Sequence, residues 1–155
     1  MTEEDKKILL KDLSSRLTYD VKAYVKNWSK LDRKYYEGVY TVESIHPSLN
    51  TVLAYSERSA VEVLVGYYDY EIKPYLFPLS SMTDELWDRE FRGYNITEFT
   101  RDSFKYDCET LEFYDHNPDL SSMIGFINQL IKNHFDIYGL IPKGLAIDAT
   151  NLNIY

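Results

Sequence analysis

A chain of 155 residues, 45% of them hydrophobic, suits a single compact domain over 1–155 whose core needs no disulfide or metal staple. A net charge of −8 with no basic stripe disfavours direct binding of DNA or RNA, because phosphate backbones are held by a cationic footprint. The lone Cys108 excludes an internal disulfide and a cysteine-only zinc site, no apolar run approaches the roughly 20 residues that span a bilayer, and the charged start Met1-Thr2-Glu3-Glu4-Asp5-Lys6 reads as unsecreted, so the expected setting is cytoplasmic and away from membranes.

The first element is a helix over about 3–16. Thr2-Glu3-Glu4-Asp5 fits an N-cap with a carboxylate three positions on, and Leu9, Leu10, Leu13 and Leu17 follow at helical spacing. Lys6, Lys7, Lys11 and Asp12 read as its solvated face. From Leu17 to Leu79 the period changes to two. Val21, Ala23 and Val25 alternate with Lys22, Tyr24 and Lys26, and the stretches 39–42, 51–55 and 61–65 are rich in β-branched and aromatic residues, with a further strand near Tyr68 to Ile72. Turn signals at 29–34, 47–50 and 56–59 separate them. Strands this short and closely spaced predict a small SH3-like β-barrel or a strongly bent meander, since closure removes unpaired edges; an open sheet packed by the helix is the alternative. Pro74 and Pro78 bracket Tyr75-Leu76-Phe77, which reads as an extended plug and not as a central strand.

The acidity belongs to the second half. Residues 1–80 hold 11 Lys/Arg against 12 Asp/Glu, whereas residues 81–155 hold 6 against 13. Ser81-Met82-Thr83 offers caps for a short helix over 84–91, where early acids precede Leu86, Trp87 and Phe91. Residues 93–116 are equally readable as coil or short strands. Asn117-Pro118-Asp119 then starts a helix over about 118–135, with Leu120, Met123, Ile124, Ile127, Leu130, Ile131 and Phe135 as its apolar stripe. The whole is an α+β chain: an N-terminal helix and barrel part over 1–79, then an acidic connector and a C-terminal amphipathic helix over 80–155 packed on it.

Catalytic signatures are sparse. No Gly-x-Ser-x-Gly elbow, Gly-x-x-x-x-Gly-Lys loop or Gly-x-Gly-x-x-Gly turn occurs, so no cofactor is expected. His134 and Asp136 are the best local pair for proton transfer, His134 as the titrating group and Asp136 as its orienter, but a histidine ending a helix also caps free carbonyls. Asp115-His116-Asn117-Pro118-Asp119 has the spacing of neither a calcium loop nor a zinc helix, and no metal site is expected.

Two features read as contact surfaces. Fifteen tyrosines give a chain rich in rings that pack on one side and stay wet on the other, as β-strands and protein contact patches both require. Segment 84–119 sets 11 Asp/Glu against 4 Lys/Arg among aromatics, and its Asp84, Glu85, Trp87, Asp88, Glu90 and Tyr94 form a candidate interaction surface that could anchor a cationic partner or imitate nucleic-acid phosphates.

Two blocks, Lys73-Pro74-Tyr75-Leu76-Phe77-Pro78-Leu79-Ser80-Ser81-Met82-Thr83 and Asn133-His134-Phe135-Asp136-Ile137-Tyr138-Gly139-Leu140-Ile141-Pro142-Lys143-Gly144-Leu145-Ala146-Ile147-Asp148-Ala149, with a weaker one at Lys11 to Leu17, resemble small uncharacterised phage and prophage proteins of gut Bacteroidetes. That resemblance implies a bacterial cell carrying a phage or prophage and brings no catalytic or binding residues. Gly139 to Ala146 reads as an apolar clasp, with Gly139 ending the preceding helix and Leu140, Ile141, Leu145 and Ile147 packing back on the body. The expected function is a non-catalytic accessory protein that binds a host or phage protein. The alternatives are an acidic nucleic-acid mimic and a small hydrolase or nucleotide-binding enzyme using His134 and Asp136.

Overall fold

The structure, a computed structural model, describes residues 1–29, 33–57, 59–68, 70–91 and 120–155. The chain divides into two units: Met1–Leu76 together with Tyr138–Tyr155, and Phe77–Ile137.

The first unit is built from helix α1 (Glu3–Ser15) and six strands, β1 (Lys22–Ser29), β2 (Lys34–His46), β3 (Thr51–Tyr55), β4 (Ala60–Leu64), β5 (Tyr70–Leu76) and β6 (Ile147–Asp148). The expected capping box starts α1: the Asp5 N–H donates to Thr2 Oγ1 at 3.1 Å, and the Thr2 N–H donates to Asp5 Oδ2 at 3.0 Å. Leu9, Leu10 and Leu13 then bury one face against Val21, Ala23, Val25, Val42, Val52, Ala54, Val63 and Ile72 of the sheet. Asp12 corrects the expectation of a wholly solvated outer face. It is fully buried and takes a bidentate pair from the equally buried Arg16, Nε to Oδ2 at 2.8 Å and Nη2 to Oδ1 at 2.7 Å. The i,i+4 spacing brings the two onto one side of the helix, and the pairing keeps either charge from being desolvated alone.

The sheet order is β4-β3-β2-β1-β5-β6, antiparallel from β4 through β5 and parallel between β5 and β6. The strands expected at 21–26, 39–42, 51–55 and 61–65 are present, with β1 and β2 extending further toward each other than their composition indicated, and the expected turns at 29–34 and 56–59 lie partly outside the described residues. In a flat sheet β4 and β5 would lie about 19 Å apart at roughly 4.8 Å per strand, yet they touch, so the sheet bends strongly. It is nevertheless not closed into an SH3-like barrel: among the described residues no ladder joins β4 to β5, and beyond β1 it is β6 that pairs with β5, at Tyr75 and Leu76.

The plug expected at 74–78 is also corrected. β5 runs through Pro74, which stands opposite Ala23 of β1, and at that position no strand pairs with its other side among the described residues. A proline nitrogen facing that margin leaves no donor unused, so the strand tolerates it. The clasp takes the expected place. Leu140, Leu145 and Ala146 join the core of this unit, Tyr138 and Ile141 pack against it, and the Ala149 N–H donates to the Leu76 carbonyl at 2.8 Å.

The second unit contains α2 (Asp84–Glu90) and α3 (Leu120–Lys132). Thr83 caps α2, accepting from the Leu86 N–H, with Asp84 and Glu85 in the first turn where the helix dipole favours anions. The core is aromatic: Phe91 and Phe126 meet edge to face at 5.2 Å, and Trp87 stacks on Phe91 at 5.7 Å, with Met82, Leu130 and Phe135 completing it. The α3 stripe is thus rotated from the one the pattern indicated. Ile124 and Ile127 are exposed while Phe126 is buried, because the apolar residues of this helix wrap more than one face and the Trp87/Phe91 pair accepts an aromatic ring. The start of this helix at Asn117-Pro118-Asp119, Cys108 and segment 93–116 lie outside the described residues.

Candidate interaction surface

His134 is where the proton-transfer reading is tested first. α3 ends in a Schellman arrangement in which His134 takes the left-handed conformation, φ 59°. Its N–H donates to the Ile131 carbonyl at 3.0 Å and the Phe135 N–H to the Leu130 carbonyl at 3.0 Å, with buried Phe135 and Leu130 in one cluster. The helix therefore stops at His134, and not at Gly139, whose positive φ serves a later turn. Phe77 is then held on both sides by this reversal, since its N–H donates to the His134 carbonyl at 2.9 Å and its carbonyl accepts from the Asp136 N–H at 2.8 Å. Both His134 and Asp136 are buried. The structure gives the backbone of each a place in the chain reversal and in anchoring Phe77. Among the described residues no three His, Cys, Asp or Glu side chains cluster closely enough to hold a metal ion.

The acidic surface is only partly a surface. Asp84, Glu85 and Asp88 are at least partly exposed on α2. Trp87 is half-buried, with its ring against Phe91 and Phe126. Glu90 accepts from Arg89 Nε at 3.0 Å, faces Lys132 Nζ at 3.6 Å and accepts from the Gln129 amide. The hydrogen bond from Arg89, then the charge of Lys132, hold the Glu90 carboxyl below the usual carboxylate range. Tyr94 lies outside the described residues. The anchor ring and one carboxylate of the set are thus engaged within their own unit.

A different surface emerges on the sheet. Period-two alternation sends Ala23 and Val25 to the α1 side and Lys22, Tyr24, Lys26 and Trp28 to the opposite face. The register sets them in rows with their neighbours: Tyr55–Thr41–Lys22, Val39–Tyr24–Lys73, Glu37–Lys26–Glu71 and Tyr35–Trp28. The rows are knitted by polar contacts. Tyr24 Oη donates to Glu37 Oε2 at 2.8 Å, Lys22 Nζ to Thr41 Oγ1 at 2.6 Å, and Lys73 pairs with Glu71 at 2.8 Å. Desolvation first, then the Glu37 bond, push the Tyr24 hydroxyl up to about 12.

At the hairpin end the two faces stop differing. Lys34, Tyr35, Tyr36 and Glu37 are all exposed, so this end of β2 extends past the core it helps to cover further along. Trp28 and Tyr35 meet at 4.9 Å, Lys26 lies over the Tyr35 ring at 4.8 Å, and Lys34 lies over the Tyr36 ring at 4.6 Å. Tyr35 is 48% exposed and Val39 44%. A face with large aromatic rings flanked by cations can make apolar contact and cation–π or charge contact at once. The outward alternation Lys22, Tyr24, Lys26, Trp28 was the sequence signal for it; the turn at 29–34 hid the partners Tyr35 and Tyr36.

No protein-family model matches the chain, and comparison with curated proteins and with solved structures found no match. Among the described residues no helix is long and apolar enough to cross a membrane.

Proposed function

We propose that this chain acts by binding another protein and not by catalysis, through the aromatic solvent face of the β1–β2 hairpin. The observation that carries the reading is the Trp28/Tyr35 pair with Lys26 over the tyrosine ring, on a sheet whose other face is fixed by α1. Aromatic anchors held by a rigid scaffold lose little freedom on docking, which is what a binding site needs. The phage and prophage resemblance supplies the proposed setting: an accessory protein in the cytoplasm of a bacterial cell carrying the phage or prophage, with a host or phage protein as its partner. The burial of His134 and Asp136, which withdraws both residues from solvent, favours this reading over a hydrolase.

The outward carboxylates of Asp84, Glu85 and Asp88 favour a second reading, the acidic mimic of a nucleic acid that blocks a DNA- or RNA-binding factor. Capture with the tagged chain from cells carrying such a phage separates the two. A stoichiometric partner lost on Trp28→Ala with Tyr35→Ala, at about 2 kcal/mol or more for a central aromatic, and retained on Lys substitution of Asp84, Glu85 and Asp88, supports the hairpin. The opposite pattern, with steep weakening by salt, transfers the function to α2 and the mimic.

A further inference from the structure

The backbone of β2 carries information that its side chains do not. The Val42 N–H donates to the Val21 carbonyl at 3.0 Å, which fixes the phase of the β1–β2 ladder. Narrow and wide pairs alternate in an antiparallel ladder, so Tyr40, Gly38, Tyr36 and Lys34 turn their N–H and C=O groups toward β1, while Thr41, Val39, Glu37 and Tyr35 turn theirs away. Thr41 meets Tyr55 of β3, but the β2–β3 ladder ends there. Among the described residues no strand pairs with the outward groups of Tyr35, Glu37 and Val39. The margin at β4, by contrast, lies close to β5.

We infer that this margin of β2 takes an extended peptide segment of net negative charge from the partner, added as a further strand in line with β3. The inference rests on the protein-binding reading above and specifies its partner. A segment of about five residues satisfies the outward groups from Tyr35 to Val39, and its alternate side chains fall on the two exposed faces of the hairpin. On one face they meet Tyr35, Glu37 and Val39, where apolar and aromatic side chains suit the two outer positions; on the other they meet Lys34 and Tyr36, where carboxylates fit. Charge selects the occupant. Lys26, Arg33 and Lys34 stand at or beside this edge against Glu37, whose carboxylate accepts from Tyr24, and Glu71, which lies opposite Lys26 and is paired with Lys73. A second copy of the chain fits less well, because the antiparallel register covering the whole free edge sets Glu37 directly opposite Glu37, and like charges facing across a ladder are destabilising.

The probe is a labelled peptide alternating glutamate with valine and tyrosine, compared with its lysine-for-glutamate counterpart and with two forms N-methylated on alternate residues. The acidic peptide should bind, the basic one should bind at least about tenfold more weakly, and only one of the two methylated forms should lose binding, because only one edge of the peptide faces β2. Its binding should slow amide exchange at Tyr35, Glu37 and Val39. Val39→Pro removes an outward donor while leaving the β1 ladder its bonds and should abolish binding. Absence of binding by the acidic peptide, equal binding of both methylated forms, or unchanged exchange at those three amides overturns the inference. Protection of the same amides by raising protein concentration alone would overturn it in favour of a second copy. A captured partner that is lost on Trp28→Ala with Tyr35→Ala but is indifferent to Val39→Pro would sink the added strand and leave the aromatic face as the binding site.

Discussion

The two halves of β2 share one strand and differ in almost everything else. From Thr41 to His46 it is paired with β3, with β1 and the residue before it on the other side at Thr41 and Val42, and it contributes Val42 to the core under α1. From Lys34 to Val39 it is paired on one side only among the described residues, and tyrosines, a lysine and a glutamate stand exposed. Two environments thereby meet along a single element: the second half is paired on both margins at Thr41 and Val42 and feeds the core, and the first carries exposed side chains along a margin with which no strand pairs among the described residues.

The same charge placed in each half of β2 should have very different costs. Val42→Asp buries an unpaired carboxylate and should cost about 3 kcal/mol or more, whereas Val39→Asp should stay within about 0.5 kcal/mol, both read from denaturant melts. Removing one member of the buried pair beneath the sheet should also be severe. Asp12→Ala removes the carboxylate that pairs with the buried Arg16 guanidinium and should cost about 3–5 kcal/mol, while replacing both residues by apolar ones of similar volume should recover much of the loss.

The second unit extends the contrast between buried and exposed apolar groups. Phe126→Ala opens the aromatic cluster and should destabilise by about 3–5 kcal/mol, whereas Ile127→Asp, on the exposed side of the same helix, should leave the melt within about 0.5 kcal/mol. Near-equal effects would show that the helix faces are assigned the wrong way round.

A smaller effect is expected from pH. The Tyr24 hydroxyl titrates at about 12 in the folded chain and near 10 when free, so folding favours its neutral form. Its contribution is fully present below about pH 10 and is lost as pH rises through about 12. Tyrosinate absorbance should show this late titration, and Glu37→Gln should lower the value only in part, since desolvation is the larger cause. Smallest is the cap of α1, where Thr2→Ala should cost about 1 kcal/mol.

Much of the first unit was legible because its signals are local. The Thr2 to Asp5 box, the leucines of α1 and the alternation at 21–26 each dictate geometry within a few residues, and the clasp at Leu140 and Leu145 announced itself as apolar chain after a turn. What escaped depended on distant partners. Asp12 looks solvated until Arg16 is known to lie buried beside it, Pro74 looks like a strand breaker until its free margin is seen, and barrel closure depends on how β4 meets β5 and not on either strand's composition. The candidate surface was legible as a surplus of tyrosine and in the alternation of Lys22, Tyr24 and Lys26 with the inward residues of β1. Trp87 and Glu90 resembled contact residues in sequence because aromatic and acidic side chains serve a small aromatic core and an ion-pair cluster as readily as a partner.

Residue-resolved amide hydrogen exchange on the isolated chain shows whether the first half of β2, which among the described residues pairs only with β1, is held on that edge alone. Rapid exchange is expected at Tyr35, Glu37 and Val39, interleaved with slow exchange at Gly38, Tyr40 and Val42, whose N–H groups face β1 or the residue before it. Uniform protection from Tyr35 through Val42 would contradict it, since that pattern requires a partner strand already lying along the edge.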